Sequence, residues 1–194
     1  MTELGVGLAI AGYLLGAIPF GLLVARRAAH VDVRQVGSGN IGATNVARAA
    51  GKRVAVLVLL LDVLKGYVPV ALAEALLGDP RWAAGVGMAA FLGHCFPVYL
   101  RFRGGKGVAT ALGVALALAP FAGLAGVACY AAVYGAFRVS SLGSLAGVAA
   151  ALAVAFATAP SPLYAWIIGA MAAIIVARHR SNIRRLLRRE ERRV

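Results

Sequence analysis

Four residues, Gly104-Gly105-Lys106-Gly107, carry the densest chemistry in this chain: three glycines around one lysine, with Arg101 and Arg103 just upstream. Glycine amides that can close on a ligand, together with a point positive charge, make a phosphate cradle in composition. An apolar run begins at Val108, so a helix opening there would aim its positive amino-terminal end at a bound anion. A Walker loop is excluded, because its GxxxxGK[ST] spacing is absent and no strand precedes the glycines.

Two further polar segments have compositions that plain connectors do not need. In the first, Ser38-Gly39-Asn40-Ile41-Gly42-Ala43-Thr44-Asn45 is followed by Arg48. Its glycines and asparagines suit a tight turn with unusual backbone angles. Ser38, Asn40, Thr44 and Asn45 offer neutral hydrogen-bonding groups, and Arg48 offers a planar fork that fits phosphate. In the last, His179-Arg180-Ser181-Asn182 closes the final apolar run, and His179 and Asn182, three apart, would share one helical face. Headgroup attraction alone accounts for Arg188 to Arg193, but it needs neither the histidine nor the asparagine.

What positions these segments follows from composition. Of 194 residues, 61% are hydrophobic and 14% charged, too few charges for a water-soluble surface. The chain is therefore expected to be all-α and membrane-integral, a single multi-span domain over 1–194. Apolar runs cover 4–24, 54–77, 82–100, 108–137, 145–159 and 163–177. The run at 108–137 is too long for one span, and Pro120 offers a turn that divides it, one part being short or tilted. About seven transmembrane helices result. Polar breaks are expected at 26–53, 78–81, 101–107, 138–144 and 159–162, and Pro97 should end the third run early. Asp62 and Lys65 lie three apart inside the second run, where they can partly neutralise one another.

The net charge of +13 points to a membrane rather than to nucleic acid, because Lys and Arg gather in alternate breaks. With the amino terminus outside, the breaks at 26–53, 101–107 and 138–144 and the tail from 178 all face the cytoplasm. Arg81 is then the one basic residue in an outward break. All three chemistry-bearing segments fall on that inner face. The first run lacks a basic leader and reads as a span, not a signal peptide. Cys95 and Cys129 read as buried thiols, with spacing that fits no metal site.

The remaining chemistry is narrow. No carboxylate pair lies near the motifs, and no HxxxxD run follows His30, His94 or His179. His94, inside the third run, reads as a structural hydrogen-bond partner. Neither cysteine sits beside a base that could activate it.

Taken together, SGNIGATNVAR, GHCFPVYLRFRGGKGVAT and HRSNIRRL resemble, in order and from end to end of the chain, the three signature motifs of the bacterial acyl-phosphate:glycerol-3-phosphate acyltransferases. The resemblance implies transfer of a fatty acyl group from acyl phosphate to the 1-hydroxyl of sn-glycerol 3-phosphate. The products would be lysophosphatidic acid and phosphate, the first acylation of phospholipid biosynthesis, with no cofactor and no metal. It places the enzyme in the bacterial cytoplasmic (inner) membrane, with the lipid bilayer as its setting and the soluble acyl-phosphate-producing enzyme as an optional partner. Carried over residue by residue, Ser38, Arg48, Lys106, His179 and Asn182 are expected to be catalytic. Asn40, Asn45, Gly104, Gly105 and Gly107 are expected to bind substrate. So is a serine of Ser141-Leu142-Gly143-Ser144, Ser144 first and Ser141 in reserve. The third motif departs from the family pattern in lacking a glycine before its acid, Arg189 preceding Glu190; little consequence is expected in an exposed tail. Two other readings compete: a transporter of organic phosphates, which would need a path across the bilayer, and a scaffold acting through its basic tail.

Overall fold

The structure, a computed structural model, describes residues 2–193. Among them the regular structure is entirely helical: α1 (Thr2–Ala17), α2 (Phe20–Ala29), α3 (Ala43–Ala50), α4 (Lys52–Leu77), α5 (Pro80–Cys95), α6 (Val108–Leu118), α7 (Pro120–Phe137), α8 (Ser140–Thr158), α9 (Pro162–Arg178) and α10 (Arg180–Leu187), with short 3-10 turns at Val33–Gln35 and Val98–Leu100. The long helices are apolar all round, and Leu57, Leu60, Leu72 and Leu76 of α4 and Trp166 of α9 stand exposed. Such surfaces are stable only against lipid. The protein is an all-helical, multi-pass membrane protein. Among the described residues, five helical segments are long and apolar enough to cross a bilayer: 2–29, 52–77, 80–100, 120–137 and 140–158. A sixth is added if α9 and α10, bent by 61° where they meet, count as one span. The eleven residues of α6 reach about 16 Å, roughly half the hydrocarbon core, so α6 does not cross alone.

Element ends follow local chemistry. Gly78 closes α4 in the left-handed conformation, and Asp79 caps α5, its carboxylate accepting the Arg81 N–H at 2.9 Å. Pro97 follows the end of α5, Pro120 opens α7, and Ser161 with Pro162 starts α9. The expected break at 138–144 is much shorter than the sequence suggests. Arg138 turns left-handed and only Val139 follows, so Ser140, Ser141 and Ser144 belong to the first turns of α8. The polar stretch 26–53 is likewise partly helical, holding the end of α2 and all of α3.

The chain divides into two compact units, Met1–Val114 and Ala115–Val194. In the first, small residues let helices meet closely. Side chains at Gly16 and Gly93 would overlap the facing backbones of α5 and α1, and the Tyr13 hydroxyl donates to the Phe96 carbonyl at 2.8 Å. In the second, α7 and α8 approach where Gly126 faces Gly147, and Phe156 of α8 meets Trp166 of α9 edge to face.

Candidate active site

In the first unit the segment between α2 and α3 is a knot tied by one side chain. Asn45, 2% exposed, donates through Nδ2 to the carbonyls of Val33 (2.8 Å), Asn40 (2.9 Å) and Val36 (3.0 Å). Its Oδ1 accepts the Ser38 N–H at 3.0 Å. Asn40 adds an Asx turn, accepting the Gly42 N–H at 2.8 Å. Gly37 adopts φ +61°, a conformation few other residues accept, and a Cβ there would overlap Asn45 Oδ1 and lie 3.8 Å from Arg48 Cδ. Ser38, exposed, and Arg48 on α3 therefore flank one turn. Beneath it lies a core of Leu22, Ala25, Val33, Ile41, Val46, Ala55 and Val58, against which Leu100 also packs. Leu100 ties the approach to the glycine turn to the base of the first motif. At the edge, Arg34, the stronger influence, and Arg26 hold the Asp32 carboxylate well below its ordinary pKa by hydrogen bonding.

The turn Gly104–Gly107 lies over the end of α5. The Gly105 N–H donates to the His94 carbonyl at 3.1 Å. A Cβ on Gly104 would overlap that carbonyl and one on Gly105 the His94 imidazole, while one on Gly107 (φ +87°) would overlap Phe91 and crowd Cys95 Sγ at 2.9 Å. Only glycines fit, and Lys106 sits among them, half-buried, two residues before α6 begins at Val108. The amino terminus of α6 thus follows the turn directly.

In the second unit, His179 occupies the joint between α9 and α10, so it and Asn182 are not on one continuous helical face; both are nonetheless buried. His179 Nδ1 lies 2.8 Å from the Ile175 carbonyl. A carbonyl only accepts, so Nδ1 is the donor of this contact. The Ser144 hydroxyl donates to the Ser140 carbonyl at 2.9 Å, one helical turn back.

Ser141 has a different partner, and it corrects the reading of the tail. Glu191 accepts from Ser141 Oγ (3.0 Å) and Asn182 Nδ2 (2.7 Å) on Oε1, and from Arg185 Nε (2.6 Å) on Oε2, with its side chain 8% exposed. Burial pushes the Glu191 pKa up, but the hydrogen bonds from Arg185, Asn182 and Ser141 together outweigh it and hold the carboxyl below its ordinary value. The tail after Arg188 is therefore not merely a basic tether; its acid fastens two of the expected site residues. The available signal was an acid in a run of arginines, but nothing local fixed its partner fifty residues away. Of the two thiols, Cys95 is buried and Cys129 only half-buried.

The arrangement gives two sets of groups, the glycine turn with Lys106, Ser38 and Arg48 in one unit and Ser144, His179 and Asn182 in the other. A family model described as glycerol-3-phosphate acyltransferase matches residues 6–189. The chain belongs to the glycerol-3-phosphate acyltransferase family. A curated glycerol-3-phosphate acyltransferase of Anaeromyxobacter sp. (strain Fw109-5) is 55% identical over 199 residues, covering 100% of this chain and 98% of that relative. Two crystal structures of PlsY (YgiH), an integral membrane glycerol 3-phosphate acyltransferase, are also similar. Its glycerol 3-phosphate form superposes with a TM-score of 0.93 at 41% identity, covering 98% of this chain and 95% of that one. The lysophosphatidic acid form gives 0.91 at 40% identity, covering 97% and 94%. This family member is an acyltransferase of lipid biosynthesis.

Proposed function

We propose that this acyltransferase takes its acyl group from acyl phosphate and delivers it to the 1-hydroxyl of sn-glycerol 3-phosphate, releasing lysophosphatidic acid and phosphate. The observation that carries the reading is the glycine turn. Its backbone is packed so tightly on His94, Phe91 and Cys95 that no side chain fits at Gly104, Gly105 or Gly107, while Lys106 stands between them at the start of a helix. That is a cradle for a phosphate head. The named relatives, glycerol-3-phosphate acyltransferases, supply the acceptor.

Acyl phosphate is a mixed anhydride, so its phosphate is a good leaving group and the site needs no strong base. It must hold two anions together and place a hydroxyl oxygen on the acyl carbon, which is work for fixed cations and amides. Lys106 and the turn amides hold the acyl-phosphate head, and Arg48 with Lys106 balances the phosphate charge. Ser38, Ser144, His179 and Asn182 orient glycerol 3-phosphate. Asn40 and Asn45 serve by holding the turn that carries Ser38, since their side chains are committed to backbone groups within it. Ser141 donates to the Glu191 carboxylate and Ser144 only to the neutral Ser140 carbonyl, a weaker hold, which favours Ser144 as the serine for substrate. The glycerol oxygen attacks the acyl carbon, the bond from that carbon to the bridging phosphate oxygen breaks, and the departing phosphate keeps the electron pair and takes the hydroxyl proton.

The charge pattern supports a place in the bacterial cytoplasmic membrane, amino terminus outside and carboxyl terminus inside, with the motifs facing the cytoplasm. Lys106→Ala tests the cradle. With each substrate varied in turn, kcat/KM for palmitoyl phosphate should fall by about a hundredfold or more, the scale of losing a charge-stabilising group. A variant that keeps wild-type kinetics with palmitoyl phosphate would refute it.

A further inference from the structure

We infer that Asp62 and His94 form a buried positioning pair that sets the geometry of the Gly104–Gly107 turn; the inference deepens the reading of that turn as the acyl-phosphate cradle and rests on it. Ionisable side chains inside a span are costly and rarely kept without a task. Here three lie together, Asp62 and Lys65 on α4 and His94 on α5, all at most 4% exposed. Asp62 Oδ1 is 2.8 Å from Lys65 Nζ, and the ammonium also donates to the Ile18 carbonyl at 2.9 Å, in the break between α1 and α2, with the Phe20 ring 5.6 Å away. A lysine–aspartate pair alone would have contributed little that apolar packing could not. The third member gives it a use. His94 Nδ1 lies 3.7 Å from the same Asp62 oxygen, too far for a hydrogen bond but close enough for the carboxylate to favour one orientation of the polar ring.

The other edge of the ring faces the cradle. A Cβ on Gly105 would fall on Nε2, and the His94 carbonyl receives the Gly105 N–H. Ring and carbonyl of one residue thus make the floor under Gly104 and Gly105, immediately before Lys106. The same stretch of α4 also fixes the far side. Cβ atoms on Gly66 and on Gly113 would overlap the carbonyls of Thr110 and Val63, so α6 is seated directly on α4 around Asp62 and Lys65. Both ends of the turn therefore refer to one rigid segment. Because the turn covers the ring, His94 acts through Lys106 rather than on substrate; it is a positioning residue.

The test uses full-length protein purified in detergent. His94→Gln removes the ring. Asp62→Asn alone would strand the Lys65 charge, so both charges are removed together as Asp62→Asn/Lys65→Met. Hydrogen exchange of peptides covering 100–110 and initial rates with palmitoyl phosphate and glycerol 3-phosphate are then measured. In each variant, exchange across the turn and KM for palmitoyl phosphate should rise by about tenfold, while KM for glycerol 3-phosphate stays within about twofold. The triple variant should add little, because the changes lie on one chain of contacts. Unchanged exchange across the turn in a folded variant, or fully additive effects, would overturn the positioning role. A turn that loosens with no change in KM for palmitoyl phosphate upholds the positioning and refutes the cradle instead. The two variants perturb different helices, so one folded example of either decides the question.

Discussion

Asn45→Ala separates a residue that holds the site from one that touches substrate. The amide makes four hydrogen bonds in the structure, three donated and one accepted, and its two hydrogens must be shared among three carbonyls. Truncation removes roughly three net interactions of about 1 kcal/mol each. The Val36 and Asn40 carbonyls lie in accessible backbone and can be rewetted, whereas Val33 is fully buried and its carbonyl stays dry. Loss of roughly 2–4 kcal/mol, confined to residues 33–42, follows. That corresponds to opening of the segment about 30- to 700-fold more often. Hydrogen exchange reads it directly, because the Ser38 N–H loses its acceptor. kcat/KM should fall with the loosened turn. Unchanged exchange across 33–42 together with a large rise in KM for glycerol 3-phosphate would overturn this role, since the amide would then be contacting substrate.

Other changes probe the remaining groups. Glu191 is held below its ordinary pKa of about 4.5, so its contribution to stability is present above that value and is lost as pH falls through the lower folded value. Thermal melts in detergent from pH 7 to pH 3 should show the wild type losing more stability in that acid window than Glu191→Gln. Truncation after Arg188 removes the same carboxylate and should cut activity by about tenfold or more, as the hydrogen bonds that order Asn182 and Ser141 vanish. Arg48→Lys keeps the charge but loses the fork, and KM for a phosphate substrate should rise by about tenfold. For His179→Gln, glycerol 3-phosphate affinity measured by calorimetry and turnover should fall together; turnover lost with affinity intact would make His179 the general base.

Much of this molecule is legible in its sequence because membrane helices announce themselves and their ends are written locally. Gly78-Asp79-Pro80, Pro97, Pro120 and Ser161-Pro162 each mark a terminus that the structure places within two residues. The short helix after the glycine turn was also legible, since Pro120 divides a run too long for one span. The serines of 140–144 were misplaced because polarity suggested a loop, whereas a single left-handed residue, Arg138, suffices to turn the chain and leaves them on α8. The polar types of the candidate residues are plain in the sequence, but their partners are not. Asn45 has the chemistry of a ligand and is spent on its own backbone. The meeting of Asp62 with His94 spans thirty-two positions and that of Ser141 with Glu191 fifty, and no local pattern specifies contacts at such range.

A comparison of donors decides whether acyl phosphate is the source of the acyl group. Detergent-purified protein is given labelled glycerol 3-phosphate with palmitoyl phosphate or, separately, palmitoyl-CoA, and the lipid product is identified by mass spectrometry. Lysophosphatidic acid formed from palmitoyl phosphate alone is the predicted result. Equal or faster product from palmitoyl-CoA, or none from palmitoyl phosphate in folded protein, would contradict it.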